Sequence, residues 1–117
     1  MKLYKFDKST GNKIREYNSD FIMSRILRTD QNTQIGCIYL EEDGVIGYHQ
    51  AVVPQFLLIM NGEGYVRGDQ EKYFKVQSGD AVFWEKDEWH ETKSEKGLTA
   101  IVIESETINP SLFMSLK

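Results

Sequence analysis

The chain has 117 residues, 40% of them apolar and 27% charged, which suits one domain built on one hydrophobic core. Fourteen basic side chains against eighteen acidic ones give a net charge of −4, and the basic ones are scattered, so nothing here resembles a nucleic-acid footprint. Cys37 is the only cysteine, which excludes an intramolecular disulfide; with no apolar run after the first lysines and no stretch long enough to span a bilayer, a soluble cytoplasmic protein is expected.

In chain order, Met1 to Phe6 alternates weakly and is expected to add an edge strand, and Asp7 to Lys13 reads as a turn. Ile14 to Leu27 suits either a short helix or a strand formed by Phe21, Ile22, Met23, Ile26 and Leu27. Gln34 to Leu40 is a clear strand, with Ile35, Cys37 and Tyr39 on one face and Gly36, Ile38 and Leu40 on the other. Strand signals then recur at Val45–Ala51, Gln55–Asn61, Tyr65–Arg67, Tyr73–Val76, Ala81–Trp84, His90–Lys93 and Leu98–Glu104. Turn chemistry separates them at Asn61-Gly62-Glu63-Gly64, Gly68-Asp69-Gln70, Ser78-Gly79-Asp80 and Lys96-Gly97. Short strands without helical periods between them predict an all-β sandwich or barrel. The tail from Ile108 is expected to form a short helical turn after Pro110.

The segment QFLLIM, Gln55 to Met60, is apolar on both faces, so both faces must be covered. The barrel interior covers one. The N-terminal segment or a second subunit covers the other, and a homodimer with a β-sheet interface is the expectation.

Two clusters then stand out: Gly44, His49-Gln50-Ala51, Gln55 and Gly62, followed by Gly79, Glu85-Lys86-Asp87 and His90. In register, these resemble the two motifs of the cupin superfamily in its small single-domain form, motif 1 over about 44–62 and motif 2 over about 79–90. The resemblance covers Gly36 to Glu104, and Gly-Asp-Ala-Val-Phe-Trp…Trp-His is its most specific part. It implies a double-stranded β-helix, a jelly-roll-like small barrel spanning residues 1–117. It also implies a cavity at which three histidines and a glutamate hold a divalent ion such as zinc, iron, manganese or nickel. Here His49 and His90 are retained, Ala51 stands at the second histidine position, and Gln55 replaces the glutamate. The surviving candidates for metal or ligand binding are His49, Gln55 and His90.

Without a metal, each histidine would be a barrel residue held by a neighbour, and Gln55 could fix the tautomer of His49. Tyr48, Trp84, Cys37 and Tyr39 are further candidates for the cavity wall. Trp84 and Trp89 also suit a core or a dimer contact, and Cys37 suits a small buried apolar group better than a nucleophile. Arg25 and Arg67 could reach an anion but are expected in surface ion pairs. The acidic Glu85, Asp87 and Glu88 suit a solvated turn, with Asp87 left-handed where the family has glycine. No phosphate loop, serine elbow or Cys-x-x-Cys pair is present. Two functions follow. One is a module binding a small polar or anionic molecule. The other is an enzyme, either a metal-dependent oxygenase or a metal-free isomerase or epimerase with His49 or His90 as general acid and base.

Overall fold

Short β-branched and aromatic runs, each stopped by glycine or a polar turn, become strands in the computed structural model, which describes residues Met1–Lys117. They are β1 (Lys2–Lys5), β2 (Asn12–Ile14), β3 (Phe21–Met23), β4 (Thr33–Leu40), β5 (Gly44–Gln50), β6 (Gln55–Arg67), β7 (Phe74–Gln77), β8 (Asp80–Trp84), β9 (Trp89–Ser94), β10 (Leu98–Ser105) and β11 (Ser115–Leu116). The helical pieces are single 3-10 turns at Lys8–Thr10, Glu16–Asn18 and Pro110–Leu112, the last where Pro110 predicts it. The ambiguous segment holds one 3-10 turn and a strand limited to Phe21–Met23, which leaves Ile26 and Leu27 outside it; β2 pairs with β3 as a small separate hairpin. No helix is long and apolar enough to cross a membrane.

All pairings are antiparallel. One sheet runs β11-β1-β8-β6-β10-β4, and β5, β9, the second half of β6 and β7 form the other. Strand β6 therefore belongs to both. Its alternation divides the core in two, as the apolar run of both parities requires. Leu57 and Ile59 point between the sheets, against Val66, Val76, Val82, Trp84, Leu98 and Ala100. Phe56 and Leu58 point outward, against Tyr4, Ala81, Phe83, Ile103, Ile108 and Met114, with Ile26 and Leu27 packed alongside. The chain's own N-terminal strand and tail thus cover the second face of β6. That face no longer argues for a partner subunit.

The sequence Asn61-Gly62-Glu63-Gly64 was expected to be a turn, and it is strand interior. Its glycines answer to close backbone approach. At Gly62, with φ +84°, a Cβ would lie 2.3 Å from the Gly97 carbonyl oxygen. At Gly64 it would lie 2.5 Å from the Lys93 oxygen. The pairing of β10 with β6 shifts register between Thr99 and Ala100, so β6 carries its bulge where it passes from one sheet to the other.

Candidate functional site

The two histidines meet through a bulge. In the β5–β9 pair, Ile46 faces Thr92 and His49 faces His90, so one extra residue is inserted into β5. Simple alternation would put Val45, Gly47 and His49 on one face. The bulge instead leaves Val45 outside, 56% exposed, and turns Ile46 and His49 into the same cavity. The imidazole rings stand 4.3 Å apart between centroids.

Their environments differ. His49 is exposed at the mouth, and its Nδ1 lies 2.7 Å from the Gly47 carbonyl oxygen. A carbonyl can only accept, so Nδ1 is a donor, and in the neutral ring that leaves the lone pair on Nε2. His90 is 3% exposed, and its Nε2 is buried without a hydrogen-bond partner. Burial first, and the neighbouring His49 second, hold the His90 pKa down to about 4 from its ordinary 6.5, so the ring is neutral at pH 7.

Gln55 begins β6 and Glu104 lies near the end of β10; the two are directly opposed across the ladder. The Gln55 amide Nε2 donates to Glu104 Oε1 at 3.3 Å, so Gln55 orients the carboxylate and does not fix His49. Glu104 escapes the sequence motifs because its place depends on register across strands, which sequence spacing does not reveal. With Thr92, these four are the polar lining of a cavity of about 150 Å³. Ile38, Ile46, Leu57, Trp84 and Val102 make its apolar wall. Trp84 is 1% exposed, its ring 4.5 Å from that of His90 and its Nε1 donating to the Arg67 carbonyl at 3.2 Å. It is both core and wall.

Several expected wall residues lie elsewhere. Cys37 and Tyr39 share a face of β4 as the alternation predicts, but it is the outer one; Ile38 faces the cavity. Cys37 is exposed, not a buried apolar group. Tyr48 is the residue turned out by the bulge, 41% exposed and stacked on Trp89 at 5.3 Å. Trp89, also 41% exposed, is therefore not core. Ala51 is 1% exposed and caps the turn of motif 2 instead of lining the cavity. Its N–H donates to the Glu88 carbonyl at 3.0 Å, and its carbonyl accepts from the Asp87 N–H at 2.8 Å. Asp87 is left-handed as expected, at φ +71°. Glu88 is not freely solvated: its side chain is 14% exposed, its Oε2 pairs with the Met1 amino group, and its Oε1 accepts from the Glu85 N–H at 3.1 Å. Neither arginine forms an ion pair. Arg67 lies over the Tyr48 ring at 4.1 Å, and Arg25 over Phe113 at 5.6 Å.

The metal that the resemblance implies can be tested against these donors. His49 Nε2 and His90 Nε2 suit a borderline divalent cation. No group of three histidine, cysteine, aspartate or glutamate side chains converges to hold an ion, and Gln55 offers only a neutral carbonyl oxygen where the family has a carboxylate. Two imidazoles do not fit a centre of three histidines and a carboxylate, so no chemistry is routed through a metal here. A larger depression of about 780 Å³ at the Gly62–Leu98 end of β10 holds no histidine. Its Glu63 is already neutralised by Lys75 and Lys96, at 3.5 and 3.4 Å.

No family model matches the sequence, and no curated protein matches it. Solved structures do match the fold. A cupin superfamily protein from Desulfitobacterium hafniense is 14% identical, with a TM-score of 0.60 over 68% of this chain and 72% of that one. An RmlC-like cupin from Shewanella frigidimarina is 18% identical, with a TM-score of 0.61 over 68% and 70%. A conserved protein of unknown function from Streptococcus pyogenes is also 18% identical, with a TM-score of 0.60 over 71% and 72%. With its antiparallel sheets, its strand shared between them and its histidines facing one cavity, this chain has the cupin fold.

Proposed function

We propose that this protein is a cupin-fold module that binds a small molecule between His49, Gln55, His90 and Glu104. The unpartnered, buried Nε2 of His90 carries the reading. Leaving such an atom unsatisfied costs about 1–3 kcal/mol, and a ligand that bonds it recovers that cost. The cavity has the usual make-up of a ligand site, an apolar wall with a few convergent polar groups. A homodimer stays part of the proposal, with its motive moved to Ile35 and Tyr39, which stand 65% and 72% exposed beside Cys37 on the free edge strand β4.

One observation favours a second reading, that of a metal-free isomerase or epimerase. The Gly47 carbonyl holds His49 in the tautomer whose Nε2 can accept a proton.

A thermal-shift screen of small metabolites and of Fe(II), Mn(II), Zn(II) and Ni(II) tests both. Some compounds are expected to raise the melting temperature by a few degrees, an effect lost in His49→Ala and His90→Ala. A hit that is also consumed, and no longer consumed by His49→Ala, moves the protein into the enzyme class. A metal shift lost in His90→Ala would restore a metal site. Hits indifferent to both substitutions would take the site away.

A further inference from the structure

The charge inside the cavity is one-sided. No lysine or arginine lines it. Glu104 takes part in no ion pair, so its carboxylate is balanced only by a neutral amide. Three of the polar side chains offer acceptors. Glu104 accepts by its charge, the neutral His49 ring accepts at Nε2 because Nδ1 donates to Gly47, and the Gln55 carbonyl oxygen accepts while its Nε2 keeps one N–H beyond the one given to Glu104. His90 adds no positive charge, since burial keeps it neutral at pH 7. An anion entering this space would meet a carboxylate and no compensating cation.

The rest of the wall is apolar, and it includes the indole of Trp84, an aromatic surface that attracts cations. At about 150 Å³ the cavity has room for a few waters or one short organic molecule.

We infer that the pocket takes a small organic cation, an ammonium group on a short apolar stem, with Glu104, Gln55 and His49 as its acceptors and Trp84 beside the stem. This rests on the binding reading above and narrows it. The polar or anionic ligand expected from sequence gives way to a cationic one, and the residue that decides the sign of the charge is Glu104, which lies at the end of the resemblance and outside both motifs.

Three compounds of one shape separate the cases: n-butylammonium, 1-butanol and butyrate, titrated into the full chain by calorimetry at pH 7. The ammonium is expected to bind about tenfold more tightly than the alcohol, as one charge-assisted contact predicts, with no heat from butyrate. Glu104→Gln, of nearly the same shape, is expected to remove the preference for the ammonium while the circular dichroism spectrum stays that of the wild type. Butyrate or butanol binding as well as the ammonium, with heats lost in His49→Ala, overturns the cation class and leaves the binding pocket standing. The same split holds if none of the three binds while other compounds in the screen depend on His49. Silence from all three and from the whole screen overturns both.

Discussion

Phe56→Ala is expected to lower the unfolding free energy by about 3–5 kcal/mol, read as a drop in the urea midpoint at unchanged slope. Phe56 is 0% exposed. Its ring meets Tyr4 and Phe83 edge-on, each at 6.2 Å, so the substitution removes two aromatic contacts as well as apolar area. Neither the N-terminal strand nor the tail can collapse freely into the space, because β1 is fixed to β8 on one side and to β11 on the other. A domain of this size has roughly 5–15 kcal/mol in total, so the variant sits near the edge of folding. The loss is also expected to be independent of protein concentration, since the covering residues belong to the same chain. A loss that shrinks with dilution would mean that a second copy supplies the cover.

The second large effect is acid lability centred on His90. In the unfolded chain this histidine titrates near 6.5, while in the fold it is held down to about 4. Above pH 6.5 both states are neutral and the group contributes no pH dependence. As pH falls through 6.5 the unfolded chain takes up a proton that the folded one refuses, so stability drops until pH reaches about 4, where the folded state accepts it too. Each unit of the gap is worth at most 1.36 kcal/mol. Allowing for solvent at the cavity mouth, where His49 is exposed, the expected loss is about 2 kcal/mol across the window. Around the ring stand His49, whose charge opposes protonation and is already part of the depression, the uncharged Trp84 and Thr92, and the Glu104 carboxylate. Asp7 and Glu63, both held below their ordinary values, lose their contributions lower down, below about 4.5. Urea unfolding of His90→Gln at pH 7, 5.5 and 4.5 isolates the effect, because glutamine does not titrate. An equally steep fall in that variant would remove His90 as its source.

These outcomes also mark what was legible in the sequence. Period-two alternation named most strands and both faces of β4, because one face of that strand is in the cavity and the other in water. Asp87 at a glycine position announced its left-handed turn. The Asn61–Gly64 stretch was misread because glycine serves close backbone approach as well as turns, and only the neighbouring Gly97 and Lys93 decide between them. The bulge in β5 has no local signature, yet it determines that Ile46 lines the site and Tyr48 does not. Glu104 was missed for a related reason. It reaches Gln55 through strand register, across 49 residues of sequence, and nothing near it resembles a motif.

The space between His49 and His90 is the proposed meeting place of this protein and its ligand. Imidazole nitrogen NMR of the labelled chain at pH 7 tests it most directly, because both rings report separately. The expected spectrum shows His49 protonated at Nδ1 and His90 neutral, and compounds selected by the thermal-shift screen move the Nε2 signals of both rings. Ligands that bind and stabilise the protein while leaving both sets of ring signals in place would contradict it.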